Sequence, residues 1–156
     1  MGQNQKNRQL GAMFETLIDR GCSYYRERGL ADIIKTPEPM KVLKNQGNGR
    51  FEAVYVKKAQ PDYKGVLKGG RAVVFEAKST STGRMYQSRV TAAQWAELEL
   101  AYALGAEVFV LVDFYNQVFA RVPWEFWREM DARIGRKYLT PGDVAGMAYP
   151  GLRFLD

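Results

Sequence analysis

Residues Pro61 to Lys78 read PDYKGVLKGGRAVVFEAK, and their pattern decides the fold. Glu76 and Lys78 are two apart, so on a strand they share a face, while Val73, Phe75 and Ala77 point the opposite way. A run as apolar as AVVF belongs in the middle of a sheet with little water around it. Gly69-Gly70 is a two-residue turn signal between YKGVLK and RAVVFEAK, which predicts a hairpin. Pairing Lys68 with Arg71 and counting outward sets Tyr63 opposite Glu76 and Asp62 opposite Ala77, within one residue of register. Asp62 therefore lands beside Glu76.

Two carboxylates at one site repel, so a divalent cation is their natural partner, and carboxylate oxygens with bound water suit Mg²⁺ or Mn²⁺. A lysine amine beside that ion orients or deprotonates a water, which points to metal-assisted phosphodiester hydrolysis. Taken alone, the Glu-x-Lys triplet favours the plainer reading, a solvated edge strand with an ion pair. What favours a site is its context: the apolar run, the hairpin and the acid at the matching position.

The 156 residues are expected to form a single domain, 1–156, large enough to bury its own core. A composition of 46% hydrophobic and 26% charged residues is that of an ordinary globular protein. The single Cys22 excludes an intrachain disulfide and a cysteine-rich zinc site, and it is expected to be a buried, unreactive thiol in a helix. With no histidine, Ser-His-Asp triads and His-metal nuclease sites are excluded, leaving carboxylates and lysine for hydrolysis. A net charge of +6 favours a polyanionic partner. The polar start MGQNQKNRQL carries no signal-peptide pattern and no run is long enough to span a membrane, so the expected location is the cytoplasm.

From Arg8 to Arg28 the apolar residues Leu10, Met13, Phe14, Leu17, Ile18, Cys22 and Tyr25 recur at helical spacing, with Gly29 as the C-cap. Glu15 sits on the flank of that stripe, facing either water or an adjacent site. LADIIK is a short strand. Pro37 and Pro39 then break regular structure, Asn45 to Gly49 is a turn, and Phe51 to Lys58 is a strand. This segment is rich in lysine and arginine and forms either a solvated hairpin or a basic arm that tracks phosphates.

After Lys78 a polar, basic stretch carries Arg84 and Arg89. Thr91-x-x-Gln94 is a capping box that opens a helix to Leu104, with Trp95, Leu98, Ala101 and Tyr102 on one face and Gly105 as the stop. EVFVLVDF is a buried strand, QVFARVP follows a turn at Asn116-Gln117, and Pro123 starts the helix WEFWREMDARI, whose Trp124, Phe126 and Trp127 are core or interface aromatics. Thr140-Pro141 is a further helix-start signal. The order is helix, three strands, helix, strand, strand, short helix: an α/β chain with a mixed sheet flanked by helices.

The hairpin with its literal Pro61-Asp62 and Glu76-x-Lys78, set in that order of elements, resembles the PD-(D/E)xK nucleases, whose core is the restriction-endonuclease-like fold. From about Leu10 to Val122, through YYRERGLADIIKTPEP, VKKAQPDYKGVLKGGRAVVFEAKST and Gln94, the chain resembles a Holliday junction resolvase of the RecU type, in a phage or prophage version. Archaeal-type (Hjc) resolvases share the active-site plan. The resemblance implies a homodimer that cuts two opposed strands of four-way junction DNA, in the bacterial cytoplasm, with Mg²⁺ or Mn²⁺ and no small-molecule cofactor.

The same resemblance makes Asp62 and Glu76 metal ligands, together with the backbone carbonyl of Ala77, and makes Lys78 the group that positions or activates the attacking water. Glu15 becomes a fourth catalytic residue and a possible metal ligand. Lys57, Lys58, Lys64, Arg71, Arg84, Arg89 and Gln94 are the DNA-binding candidates. The segment from about 37 to 58 matches the protruding stalk that the family inserts into the junction centre, here short and with the polar tip NQGNG. Where the family often has Ser or Thr just before the catalytic Asp, this chain has Gln60-Pro61. The competing expectations are another PD-(D/E)xK nuclease, acting on flaps, ends or specific sequences, and a non-catalytic module that binds DNA or RNA.

Overall fold

A computed structural model describes residues 2–56 and 60–156. Helix α1 (Gln3–Glu27) is followed by β1 (Ala31–Lys35), an arm made of β2 (Met40–Gly47) and β3 (Arg50–Tyr55), and the hairpin β4 (Tyr63–Leu67) and β5 (Ala72–Thr80). Then come β6 (Met85–Tyr86), α2 (Ala92–Ala103), β7 (Glu107–Phe114), β8 (Val118–Pro123), α3 (Trp124–Arg128), α4 (Met130–Ile134) and β9 (Tyr138–Leu139). Among the described residues no helix is long and apolar enough to cross a membrane.

The main sheet has the order β1-β4-β5-β7-β8, in which β5 and β7 are parallel and the other neighbours antiparallel. Every residue of β7 is wholly or partly buried because both faces of the sheet are covered there. Phe109 and Leu111 meet Phe14, Ile18, Cys22 and Tyr25 of α1 on one side. Val108, Val110 and Val112 meet Leu98, Trp124, Trp127 and Met130 on the other. Each large side chain so enclosed contributes about 1.5–3 kcal/mol. Cys22 is among them, and burial pushes its thiol pKa up to about 12, so it is an inert filler.

Register in the site region is set by an aromatic ladder. Tyr63, Phe75 and Phe109 lie side by side on β4, β5 and β7, with ring centroids 4.9 and 4.7 Å apart. Since side chains alternate, Glu76 must point to the opposite face, toward α2. The hairpin register differs from the sequence expectation by one residue: Tyr63 pairs with Phe75, not Glu76. The loop is three residues, Lys68-Gly69-Gly70, both glycines having positive φ, and Leu67 N–H closes it by donating to the Arg71 carbonyl.

Other departures have equally local causes. α1 begins five residues before Arg8, and its added turns are anchored by Gln3 and Asn7 on the Ser81 hydroxyl, outside any apolar stripe. The segment after Pro39 contains two strands, and with the two-residue β6 six strands precede α2 where three were expected. The β7–β8 turn is centred on Tyr115 and Asn116, both left-handed, with Asn116 N–H donating to Asp113. WEFWREMDARI is two short helices broken at Glu129. Thr140-Pro141 opens a turn rather than a helix, because the Asp143 carboxylate accepts from the Thr140 N–H and hydroxyl and from Arg136.

Candidate active site

Glu76 and Lys78 lie in the middle of the sheet under the N-terminus of α2. The Glu76 side chain has 0% and Lys78 14% of its surface exposed, and Lys78 Nζ lies 3.1 Å from Glu76 Oε2. Asp62, just ahead of β4, turns its carboxylate onto β5, where Oδ2 accepts from the Ala77 N–H at 3.0 Å. Gln94 of α2 donates from Nε2 to Glu76 Oε2 at 3.1 Å and accepts from Lys78 Nζ at 3.4 Å. Three segments distant in sequence thus converge.

Burial, and after it the neighbouring Asp62 carboxylate, hold the Glu76 carboxyl well above the ordinary carboxylate range, with Lys78 opposing. Glu76 Oε1 is fully buried and has no hydrogen-bond partner. A buried oxygen without a partner, next to a second carboxylate, is the donor set of a hard divalent cation, so the residues present fit Mg²⁺ or Mn²⁺. Among the described residues no three acidic or other ligating side chains come together, so the remaining positions fall to a backbone carbonyl, water and phosphate.

The remaining candidates are dispersed. Glu15 is joined to Lys35, the last residue of β1, and not to the Asp62–Glu76 pair. Lys64 is exposed on β4, two residues from Asp62, and Arg84 and Arg89 are exposed on the segment after β5. Arg84 also lies over the Tyr138 ring and Arg89 donates to the Ser79 carbonyl. Arg71 starts from the far end of β5, roughly 16 Å along the strand from Glu76. Its guanidinium pairs with Glu107 and donates to the Gly105 and Ala106 carbonyls. Lys57 and Lys58 lie outside the described residues.

Two neighbours of the site were not singled out by sequence. Lys35 is paired with Glu15, which is the chief cause of its raised pKa, with Asp19 and Asp62 adding to it. Thr36 donates its N–H to the Asp62 carbonyl, and its hydroxyl is buried without a partner. The only signal for either was position: both end the strand that β4 pairs with, beside Asp62.

The chain matches the family model for Recombination protein U (RecU) over residues 9–140. It belongs to the RecU family. Its relatives include the Holliday junction resolvase RecU of Streptococcus sanguinis, 39% identical over 45% of this chain and 37% of the relative. Those of Geobacillus thermodenitrificans and Lactococcus lactis are 28% and 32% identical, over 86% and 67% of this chain and 71% and 51% of the relatives. This RecU-family chain therefore spans as little as about a third of the curated relatives it matches. Its fold is shared with Archaeoglobus fulgidus Hjc, a Holliday junction resolvase: the TM-score is 0.52 at 13% identity, over 90% of this chain and 98% of the other. The central mixed sheet flanked by helices is thus the restriction-endonuclease-like core.

Proposed function

We propose that this RecU-family chain is a structure-selective endonuclease that resolves four-way DNA junctions by metal-dependent phosphodiester hydrolysis, acting as a homodimer. The observation that carries this is the Asp62–Glu76–Lys78 cluster, with Glu76 buried and one of its oxygens unpartnered, in a chain of the RecU family. Asp62, Glu76 and the Ala77 carbonyl hold Mg²⁺ or Mn²⁺. When bound, the cation polarises the scissile phosphate and lowers the pKa of a water.

The chain's own residues do the rest. Glu76 gives Oε2 to Lys78 and Gln94 and keeps Oε1 for the cation. Lys78, held at 3.1 Å from Glu76, presents its remaining N–H bonds to the attacking water or to a phosphate oxygen, where its charge matters most in the transition state. Glu15 takes part through Lys35, which links it to the charge of Asp62. Lys64, Arg84 and Arg89, with Lys57 and Lys58, are the phosphate contacts.

Two apolar surfaces left bare on the single chain support the dimer. Ile34 and Val66 are exposed on the outer strands β1 and β4, on the same face of the sheet as Glu76, and Met40, Val42, Phe51 and Tyr55 are exposed on one face of the arm. The test compares cleavage, in Mg²⁺, of a synthetic four-way junction with a flap and a linear duplex of the same sequence. Preferential cutting of the junction is expected. Equal rates on all three would assign a less selective nuclease, and junction binding without any cleavage would assign a non-catalytic module.

A further inference from the structure

Gln94 occupies two structural roles with one side chain. It is the third residue of α2 and closes the capping box: Thr91 Oγ1 accepts from its N–H at 3.2 Å and its Oε1 accepts from the Thr91 N–H at 3.0 Å. The same amide reaches the Glu76–Lys78 pair, with Nε2 donating to Glu76 Oε2 at 3.1 Å and Oε1 accepting from Lys78 Nζ at 3.4 Å. A capping box is satisfied by either Glu or Gln at this position. Only an amide also offers a donor to a carboxylate and an acceptor to an ammonium in one plane. A glutamate would put a third negative charge beside Glu76.

We infer that Gln94 is a positioning residue that ties the N-terminus of α2 to the Glu76–Lys78 pair. It holds the Lys78 amine in place and occupies Glu76 Oε2, so that Oε1 is the oxygen left for the cation. The inference rests on the nuclease reading of the same site. It replaces the DNA-contact role that the family resemblance suggested for this residue. Gln94 acts through Glu76 and Lys78, and α2 thereby sets catalytic geometry as well as covering the sheet.

Three variants separate the two roles. Thr91→Ala removes half of the cap and none of the bonds of the Gln94 side chain. Its Tm is expected to fall by about 2–4 °C, with single-turnover junction cleavage within about threefold of wild type. Gln94→Met removes the amide at similar volume. Its Tm loss is expected to be comparable, its junction affinity in Ca²⁺ unchanged within about threefold, and its cleavage rate at saturating enzyme reduced on the order of 30-fold or more. Gln94→Glu keeps the cap and the Lys78 acceptor but loses the donor to Glu76 and adds a charge beside it, so slowed cleavage with a Tm loss no larger than that of Gln94→Met is expected.

Equal cleavage losses in Thr91→Ala and Gln94→Met would reduce Gln94 to a cap and overturn the inference. So would a Gln94→Met variant that binds junctions poorly yet cuts at the wild-type rate once saturated, since that is the behaviour of a DNA contact. A second readout is independent of any nuclease activity. In ¹⁵N-lysine NMR of the metal-free protein, the Lys78 ammonium, assigned through Lys78→Arg, is expected to be protected from solvent exchange and to lose that protection in Gln94→Met but not in Thr91→Ala. Protection unchanged in Gln94→Met refutes the inference. If wild type cuts no DNA while this pattern holds, the nuclease reading fails and the positioning role stands.

Discussion

At Glu76, a carboxylate with no exposed surface, Lys78 and Gln94 bind one oxygen and the other is the one proposed for the cation. Replacing Asp62 by Asn or Lys78 by Ala is expected to slow junction cleavage on the order of 10²- to 10³-fold, measured by single turnover, with Ca²⁺-supported binding nearly intact. Full activity in either variant would contradict these roles. Asp113 is the other buried acid, on the opposite face of the sheet beneath α1. Burial pushes its pKa up to about 6, only partly offset by the Asn116 N–H. Between the ordinary carboxylate pKa and about 6 the folded protein binds more protons than the unfolded chain. Its contribution is therefore complete in acid and is lost as pH rises through that window. Denaturation midpoints measured across pH 4–7 should fall less steeply for Asp113→Asn than for wild type, and parallel curves would refute this. Gly65 is a different kind of constraint, since a Cβ there would lie 2.0 Å from the Asp32 carbonyl oxygen. Gly65→Ala is expected to cost about 3 kcal/mol by overpacking between β1 and β4, read in urea unfolding.

At the scale of the element, what was legible in the sequence was what local chemistry determines. β5 was readable because its apolar run and its Glu-x-Lys obey strand alternation, and α2 because Thr91 and Gln94 form a capping box that the structure contains on both sides. The hairpin register slipped by one because Gly69-Gly70 reads as a two-residue turn, whereas closure by Leu67 and Arg71 takes in Lys68 as well. Lys35 and Thr36 were invisible as site residues because their role depends on which strand pairs with β4, a long-range fact. The arm was seen as basic, but its division into faces was not: Met40, Val42, Phe51 and Tyr55 share one side, and Lys41, Lys44 and Glu52 share the other. The break in the pattern is a bulge near Leu43, which shifts the alternation. β2 and β3 pair only with each other, so replacing residues 40–55 by a short Gly-Ser link is expected to leave the rest of the chain folded, read as a retained cooperative unfolding transition, while lowering junction affinity about tenfold or more. Unchanged affinity for the junction would remove the arm from DNA recognition.

For the whole molecule, the middle of the sheet gathers Asp62, Glu76, Lys78 and the start of α2, and the arm with the exposed Lys64, Arg84 and Arg89 are the surfaces proposed to meet DNA. On the proposed reading one such site would cut one strand, so resolution of a junction would need two copies, and analytical ultracentrifugation should find a dimer with DNA bound; a monomer there would contradict the symmetric account. The central claim is tested most directly by mapping the cuts on a mobile four-way junction in Mg²⁺. The account predicts nicks at matching positions in two opposed strands, giving linear duplexes that ligase can seal, with no cutting in the Lys78→Ala protein. Unpaired nicks, or cuts equally frequent in a linear duplex of the same sequence, would contradict it.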